Sequence, residues 1–444
     1  MGPEQALNAW QASGQPAIDP RLLLGFALPL LQQLTALGST ASTRLPLLAL
    51  NGPVGAGKTS LGRLLEALAP TLGLRLVVAS IDDLYLPWAQ RQRRLAGNPF
   101  AVSRVPPGSH DLELLLDALG HWRQSGVLRL PRFDKTLAQG HGDRSGWRQE
   151  PCDALVLEGW LMGCRALGPV GLATALSALD LGRPNAAGAP ALTTSELDWL
   201  GYWDSQLEAY GPLWQACDGL WVLRPLSWEL PRRWRFQAEA RQRRNGGGWL
   251  PAADLERLVR SSLCSLPPAL YQDPLAVDPQ LVPQPEPAAS LLAAQALARP
   301  PAVGPHTGSG LAGVSDPPSP VTDDSDADDR SMAADAWTSR LTGPRLKLQL
   351  QAETSNAETR HAETRQAAPK TTAKPAAPAL MTDINPDQPA QAMGPGAAAA
   401  DAASAPGLTV QGLAVLDGRR RCVDLWRRQS ETQASPSDSS SLMG

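Results

Sequence analysis

LPLLALNGPVGAGKTS, residues 45–60, is an apolar run that breaks into a glycine-rich turn and restarts as polar-faced chain. Leu45 to Leu50 carries no charged or hydrophilic side chain and reads as a buried parallel strand. Gly52-Pro53-Val54-Gly55-Ala56-Gly57-Lys58-Thr59 fills the pattern G-x-x-x-x-G-K-[ST], with Ser60 next and a helix to follow. Glycines let the backbone curl until several N–H groups face one concavity, where side chains would block phosphate oxygens. The start of the next helix adds its positive end. Lys58 can then reach the β- and γ-phosphates, and the Thr59 hydroxyl can ligate Mg²⁺. The stretch therefore reads as a site for a nucleoside triphosphate, with ATP and Mg²⁺ as expected cofactors. It is silent about the acceptor.

Outward from this loop the chain alternates strands and helices. SLGRLLEALAPTLG (60–73) has helical periodicity until Pro70 and Gly73 stop it. LRLVVAS (74–80), DALVLEG (153–159) and GLWVLRP (219–225) read as further buried strands. HDLELLLDALGHW (110–122) and SELDWLGYWDSQLEAYGPLWQACD (195–218) are helical stretches between them, and LPAADLERLVRSSLCSLPPALYQ (250–272) supplies one or two more. RLLLGFALPLLQQLTALG (21–38) is a helix that packs on this body. The expected fold is α/β: a doubly wound parallel sheet of the P-loop NTPase type, with helices on both faces.

Composition divides the chain further. From about 276 to 407 it is rich in Pro, Ala, Ser, Thr and Asp, with few aromatics. Such a segment cannot bury enough apolar surface to offset roughly 1–2 kcal/mol of ordering per residue, and is expected to be disordered. In LTVQGLAVLDGRRRCVDLWRR (408–428), two β-prone runs flank the Asp417-Gly418 turn signal. The expected organisation is a helical extension (1–44), the catalytic body (45–275), a disordered insertion (276–407), a hairpin that rejoins the sheet (408–428) and a disordered tail (429–444).

A net charge of −3 gives no electrostatic footprint for nucleic acid or an anionic membrane. No apolar run approaches the ~20 residues of a membrane helix. MGPEQALNAW, the first ten residues, lacks the basic start and apolar stretch of a secretory signal. Five scattered cysteines form no CxxC pair, so free thiols in the cytoplasm are expected. The oligomeric state is not legible. Lysine is rare: Lys58 and Lys135 are the two in the catalytic body, against 40 Lys+Arg in the chain. A compact ammonium at those two points suits a charge that must fit among phosphates.

Asp82 and Asp83 follow directly on the 74–80 strand. Open α/β sheets bind ligands at the carboxyl ends of their strands, which sets this acidic pair beside the phosphate loop as a candidate base. Glu158 ends the 153–159 strand, where it can hold Mg²⁺ through water or orient the nucleophile. A charged, glycine-bearing loop from 130 to 144 carries Lys135 and Arg144, which with Arg104 can clamp an anionic acceptor; a solvated loop is the other reading. Arg232, Arg233 and Arg235 open a late helix, either as a lid or as surface charge.

Six stretches together resemble the D-glycerate 3-kinases: GPVGAGKTS (52–60), SIDDLYL (80–86), GNPFAVSRVPPGSHDL (97–112), LPRFDKTLAQGHGDR (130–144), LVLEGWLMG (155–163) and WRFQAEARQR (234–243). The wider group includes uridine kinase, phosphoribulokinase and pantothenate kinase. The resemblance implies transfer of the ATP γ-phosphoryl group to the 3-hydroxyl of D-glycerate. It implies Asp82 as general base, Glu158 and Lys58 beside it, and Arg235 toward the nucleotide. Asp83, Tyr85, Arg104, His110, Asp134, Lys135 and Arg144 would lie around the acceptor. Departures from the family pattern are the LAQGHGDR stretch, Asp204 where an Asn is usual, and the extra residues at 165–194 and 276–407. A related kinase for uridine, pantothenate or a sugar phosphate, or a nucleotide-dependent assembly protein, are the alternatives.

Overall fold

The structure, a computed structural model, describes residues 19–39, 44–246, 248–284 and 408–429, together with Gln5 and Asn8. Seven strands form one sheet: β1 (Leu47–Asn51), β2 (Leu76–Ser80), β5 (Ala154–Gly159), β6 (Gly219–Pro225), β7 (Leu281–Pro283), β8 (Val410–Leu416) and β9 (Cys422–Arg428). Its order is β2-β5-β1-β6-β8-β9-β7. The first five in that order run parallel, and β9 is antiparallel to both β8 and β7. Two further strands, β3 (Val127–Asp134) and β4 (Asp143–Pro151), pair separately as an antiparallel hairpin.

Burial explains the sheet. Every residue of β1, β5 and β6 is buried, as expected of parallel strands covered on both faces. In register, Ser80 of β2 and Leu50 of β1 both lie against Glu158, and Asn51 lies against Gly159. The carboxyl ends of three strands are therefore level, and the loops leaving them share one edge. The helix Lys58–Leu68 packs on β2 through Gly62, where an added Cβ would fall 2.9 Å from Val78 Cγ1. This is the P-loop NTPase type of doubly wound sheet.

The described sheet continues past residue 276, where the composition changes: Leu281–Pro283 pairs with β9 at the edge. The remainder of the expected disordered insertion, 285–407, and the expected tail from 430 lie outside the described residues. The charged stretch from 130 to 144 is strand at its two ends, in β3 and β4, and a turn with a short 3-10 segment from Lys135 to Gly142 between them.

The helix Pro20–Ser39 is 20 residues long and apolar enough to cross a membrane by length and composition, contrary to the expectation that no such stretch exists. Its apolar face is accounted for in the core: Leu23, Phe26, Leu30, Leu31 and Leu34 are fully buried, and Phe26 meets Trp221 edge-on at 4.9 Å. The helical stretch from 195 to 218 is a run of short helices, Thr194–Asp198, Leu200–Leu207 and Gly211–Ala216, with Pro212 in the first turn of the last. Asp204, in that series, is buried and accepts hydrogen bonds from the amides of Leu167 and Gly168 and from the Tyr271 hydroxyl. It fixes the start of the helix Gly168–Ala178 and lies away from the cleft described next.

Candidate active site

A cleft of about 1650 Å³ runs along the carboxyl edge of the sheet. Val54 to Ser60, Asp82, Asp83, Tyr85 and Glu158 line it. Gly55 and Gly57 adopt positive φ of 80° and 96°, the left-handed conformations that let the chain curl. A Cβ on Gly55 would lie 2.8 Å from Trp234 Cβ and 2.9 Å from the Arg235 amide nitrogen, so only glycine fits there. Gly52 and Pro53 stand behind the loop, and their carbonyls accept hydrogen bonds from Lys58 Nζ at 2.8 and 3.3 Å. Lys58 Nζ also lies 3.7 Å from Glu158 Oε2.

Electrostatics separate the carboxylates. Burial pushes Glu158 up, opposed by Lys58. Asp83 is likewise raised by burial, with Arg148 working against it. Burial also acts on Asp82, yet Lys135, His110, the Tyr85 hydroxyl and Lys58 together outweigh it and hold the carboxyl below the usual range. His110 is itself pushed down to about 4 by burial and is uncharged near neutrality. Tyr85 donates its hydroxyl proton to Asp82 Oδ1 at 2.9 Å. Asp82 is thus an ionised carboxylate, oriented by a phenol, beside the phosphate loop.

Of the expected acceptor-side residues, Asp83, Tyr85, Arg104 and Lys135 line the cleft, and His110, Asp134 and Arg144 do not. His110 is buried beneath Tyr85, stacked on its ring at 4.7 Å and bonded through Nδ1 to the Tyr210 hydroxyl at 2.7 Å. Asp134 accepts from the amide and hydroxyl of Thr136 and so shapes the turn that presents Lys135. Arg144 donates to the Tyr85 carbonyl at 3.1 Å and to Asp111 Oδ2 at 2.7 Å, tying the β3–β4 hairpin to the segment that holds Asp82. Arg104 NH1 donates to the carbonyls of Gly140 and His141 at 3.0 and 2.6 Å while the residue lines the cleft. On the helix Leu230–Arg244, Arg235 faces the cleft and pairs with Glu239 at 2.7 Å, whereas Arg232 turns away to Glu256.

Arg148 and Arg91 are among the arginines that sequence reasoning missed. Arg148, on β4, lines the cleft near Asp83; a lone Arg in an alternating strand gives no signal of its own. Arg91 is wholly buried and donates to the carbonyls of Leu86, Ser103, His141 and Gly142, so it builds the acceptor-side loop from beneath.

For Mg²⁺ the Thr59 hydroxyl and the Glu158 carboxylate, both lining the cleft, are candidate oxygens. Among the described residues no group of three or more His, Cys, Asp or Glu could hold a metal ion. Mg²⁺ is ordinarily bound by one or two side chains plus substrate phosphates, so this sparse donor set fits it.

The topology, the phosphate loop and the acidic residues at adjacent strand ends define the class: a P-loop kinase fold with a nucleotide-binding edge. Protein-family models give no match to the chain. In sequence it is similar to D-glycerate 3-kinase, chloroplastic, of Arabidopsis thaliana, at 29% identity over 251 residues. That match covers 52% of this chain and 50% of the plant protein, so the chain spans half of that relative's length. It is also 27% identical over 204 residues to the uncharacterized kinase mug58 of Schizosaccharomyces pombe, covering 44% of this chain and 69% of that one. Among solved structures, D-glycerate 3-kinase from Cryptococcus neoformans var. grubii matches 56% of this chain and 86% of its own, at 27% identity and a TM-score of 0.47. The resemblance to the D-glycerate 3-kinases carried by the six motifs is thus borne out by relatives in sequence.

Proposed function

We propose that the protein transfers the γ-phosphoryl group of ATP to the 3-hydroxyl of D-glycerate, giving 3-phosphoglycerate and ADP. The observation that carries this reading is the Lys58 ammonium and the ionised, tyrosine-oriented Asp82 on one cleft, with Arg104, Lys135 and Arg148 beyond them. In the reaction the acceptor oxygen forms a bond to the γ-phosphorus as the bond to the β,γ-bridging oxygen breaks. Asp82 takes the hydroxyl proton. Phosphoryl transfer asks little covalent chemistry of a protein, so positioning and charge do most of it. The loop amides and Lys58 would hold the phosphates, and Arg235, which lines the same cleft, offers them a further cation. Thr59 and Glu158 would hold Mg²⁺, which supplies charge neutralisation to the β- and γ-oxygens when bound. Glycerate is a small carboxylate, and Arg104, Lys135 and Arg148 offer cations for it. The five cysteines are free and buried, in keeping with a reducing compartment such as the cytoplasm.

A second reading has its own support. A phosphorylated acceptor needs more cations than a carboxylate, and Arg148 adds one to the acceptor side. Consumption of ATP by the purified full chain, measured against D-glycerate, L-glycerate, uridine, pantothenate and ribulose 5-phosphate, separates the two. Turnover with D-glycerate at a kcat/KM at least tenfold above the others is expected. A preference for ribulose 5-phosphate would replace the acceptor and leave the phosphate loop in place.

A further inference from the structure

The turn between β8 and β9 comes from a part of the chain more than 350 residues beyond the phosphate loop, yet it touches that loop directly. Asp417 organises the turn by accepting from the amides of Arg419 and Arg421 and from the Arg421 guanidinium. This puts Arg420 at a positive φ of 61°, an uncommon conformation for a residue with a Cβ. Its side chain leaves the turn toward the phosphate loop. Nε donates to the Gly55 carbonyl at 2.6 Å, and NH2 donates to the Trp234 carbonyl at 2.9 Å. The guanidinium also lies over the Trp234 ring, 5.5 Å from its centroid. In return the Trp234 indole donates to the Gly418 carbonyl at 3.0 Å.

We infer that Arg420 is a positioning residue for the nucleotide: it fixes the Gly55–Ala56 peptide of the phosphate loop in its binding orientation. The peptide is held at both ends, since Ala56 N–H donates to the Pro53 carbonyl at 3.2 Å while Gly55 C=O is held by Arg420. A glycine-rich loop has many conformations to lose when a triphosphate arrives. A guanidinium that holds one carbonyl outward removes part of that freedom beforehand, which raises affinity, and the residue also lines the cleft itself. The same side chain grips the first turns of the helix Leu230–Arg244 through Trp234, one residue from Arg235 on the cleft wall. Loop, helix and hairpin turn therefore meet at one guanidinium. Arg was required for this: a lysine ammonium cannot present two donors in a fixed plane to two carbonyls.

The inference rests on the nucleotide-binding reading above, and titration of ATP–Mg²⁺ into the full chain by calorimetry tests the two apart. A wild-type chain that takes up no ATP overturns that reading itself. Given wild-type binding, Arg420→Ala is expected to weaken ATP by about tenfold or more, the loss that goes with a charge-assisted hydrogen bond. KM for ATP rises in step, while kcat at saturating ATP and KM for the acceptor stay within about threefold. Arg420→Lys recovers part of the affinity. A folded Arg420→Ala chain that binds ATP within twofold of wild type overturns the inference. So does a fall in kcat with KM for ATP unchanged, which is what loss of packing alone produces. Should Arg420→Ala fail to fold, Arg420→Gln is judged by the same two limits.

Discussion

In the proposed reaction Asp82 and Lys58 carry the chemistry, and each has its own expected signature. Lys58→Ala removes the ammonium from among the phosphates and from Glu158, so ATP-dependent phosphorylation falls to background. A circular-dichroism melt like that of the wild type shows that the fold is kept. Asp82→Asn keeps the shape and the contact to Tyr85 but removes the base, and kcat falls about 10²–10⁴-fold with little change in KM. A change confined to KM would make Asp82 a binding group. His110 acts through stability instead. Its folded pKa, about 4, lies below the ordinary 6.5, so between those values the unfolded chain binds a proton that the native chain refuses. Stability is lost as pH falls through that window, by at most about 3 kcal/mol. In His110→Gln, the slope of Tm against pH between 6.5 and 4 should flatten.

At the scale of elements, the phosphate loop and its flanks were legible because each residue type in it has one backbone job. Gly55 is the clearest. With φ of 80° and Trp234 and Arg235 pressed against it, Gly55→Ala is expected to cost about 1–3 kcal/mol. A urea titration followed by tryptophan fluorescence reads that cost, and ATP affinity falls with it. Tyr85 and Arg104 also sit on the cleft where the motifs lead one to expect. His110 and Arg144 were singled out by the same motifs, yet they stand behind Tyr85, one stacked on its ring and the other bonded to its carbonyl. A motif records that residues travel together, and does not record which of them faces the ligand. Arg420 lay inside a stretch read as a hairpin turn. Its reach to Gly55 depends on β8 pairing with β6, a long-range placement with no local pattern.

For the molecule as a whole, the sheet is stitched from distant pieces. β8 lies between β6 and β9, and β7 closes the edge on β9. A single cut introduced between residues 285 and 407 should therefore leave the 408–429 piece attached in size-exclusion chromatography, with ATP binding kept. Free release of that piece would mean that the strand pairing alone does not hold it. The alternation of strands and helices was legible for the parallel strands through β6, since buried strands read as continuous apolar runs. β7, three residues long and ending in proline, was not, because so short a strand has no periodicity to read.

The pairing of β8 with β6 also bears on how the chain is made. Translation at about 5–20 residues per second leaves β6 waiting roughly 10–40 s before β8 emerges from the ribosome. Through that interval the growing polypeptide exposes an apolar strand edge and a Gly55 carbonyl without its guanidinium. A nascent chain halted before residue 408 should be a client of holding chaperones, and one halted well past residue 429 should not.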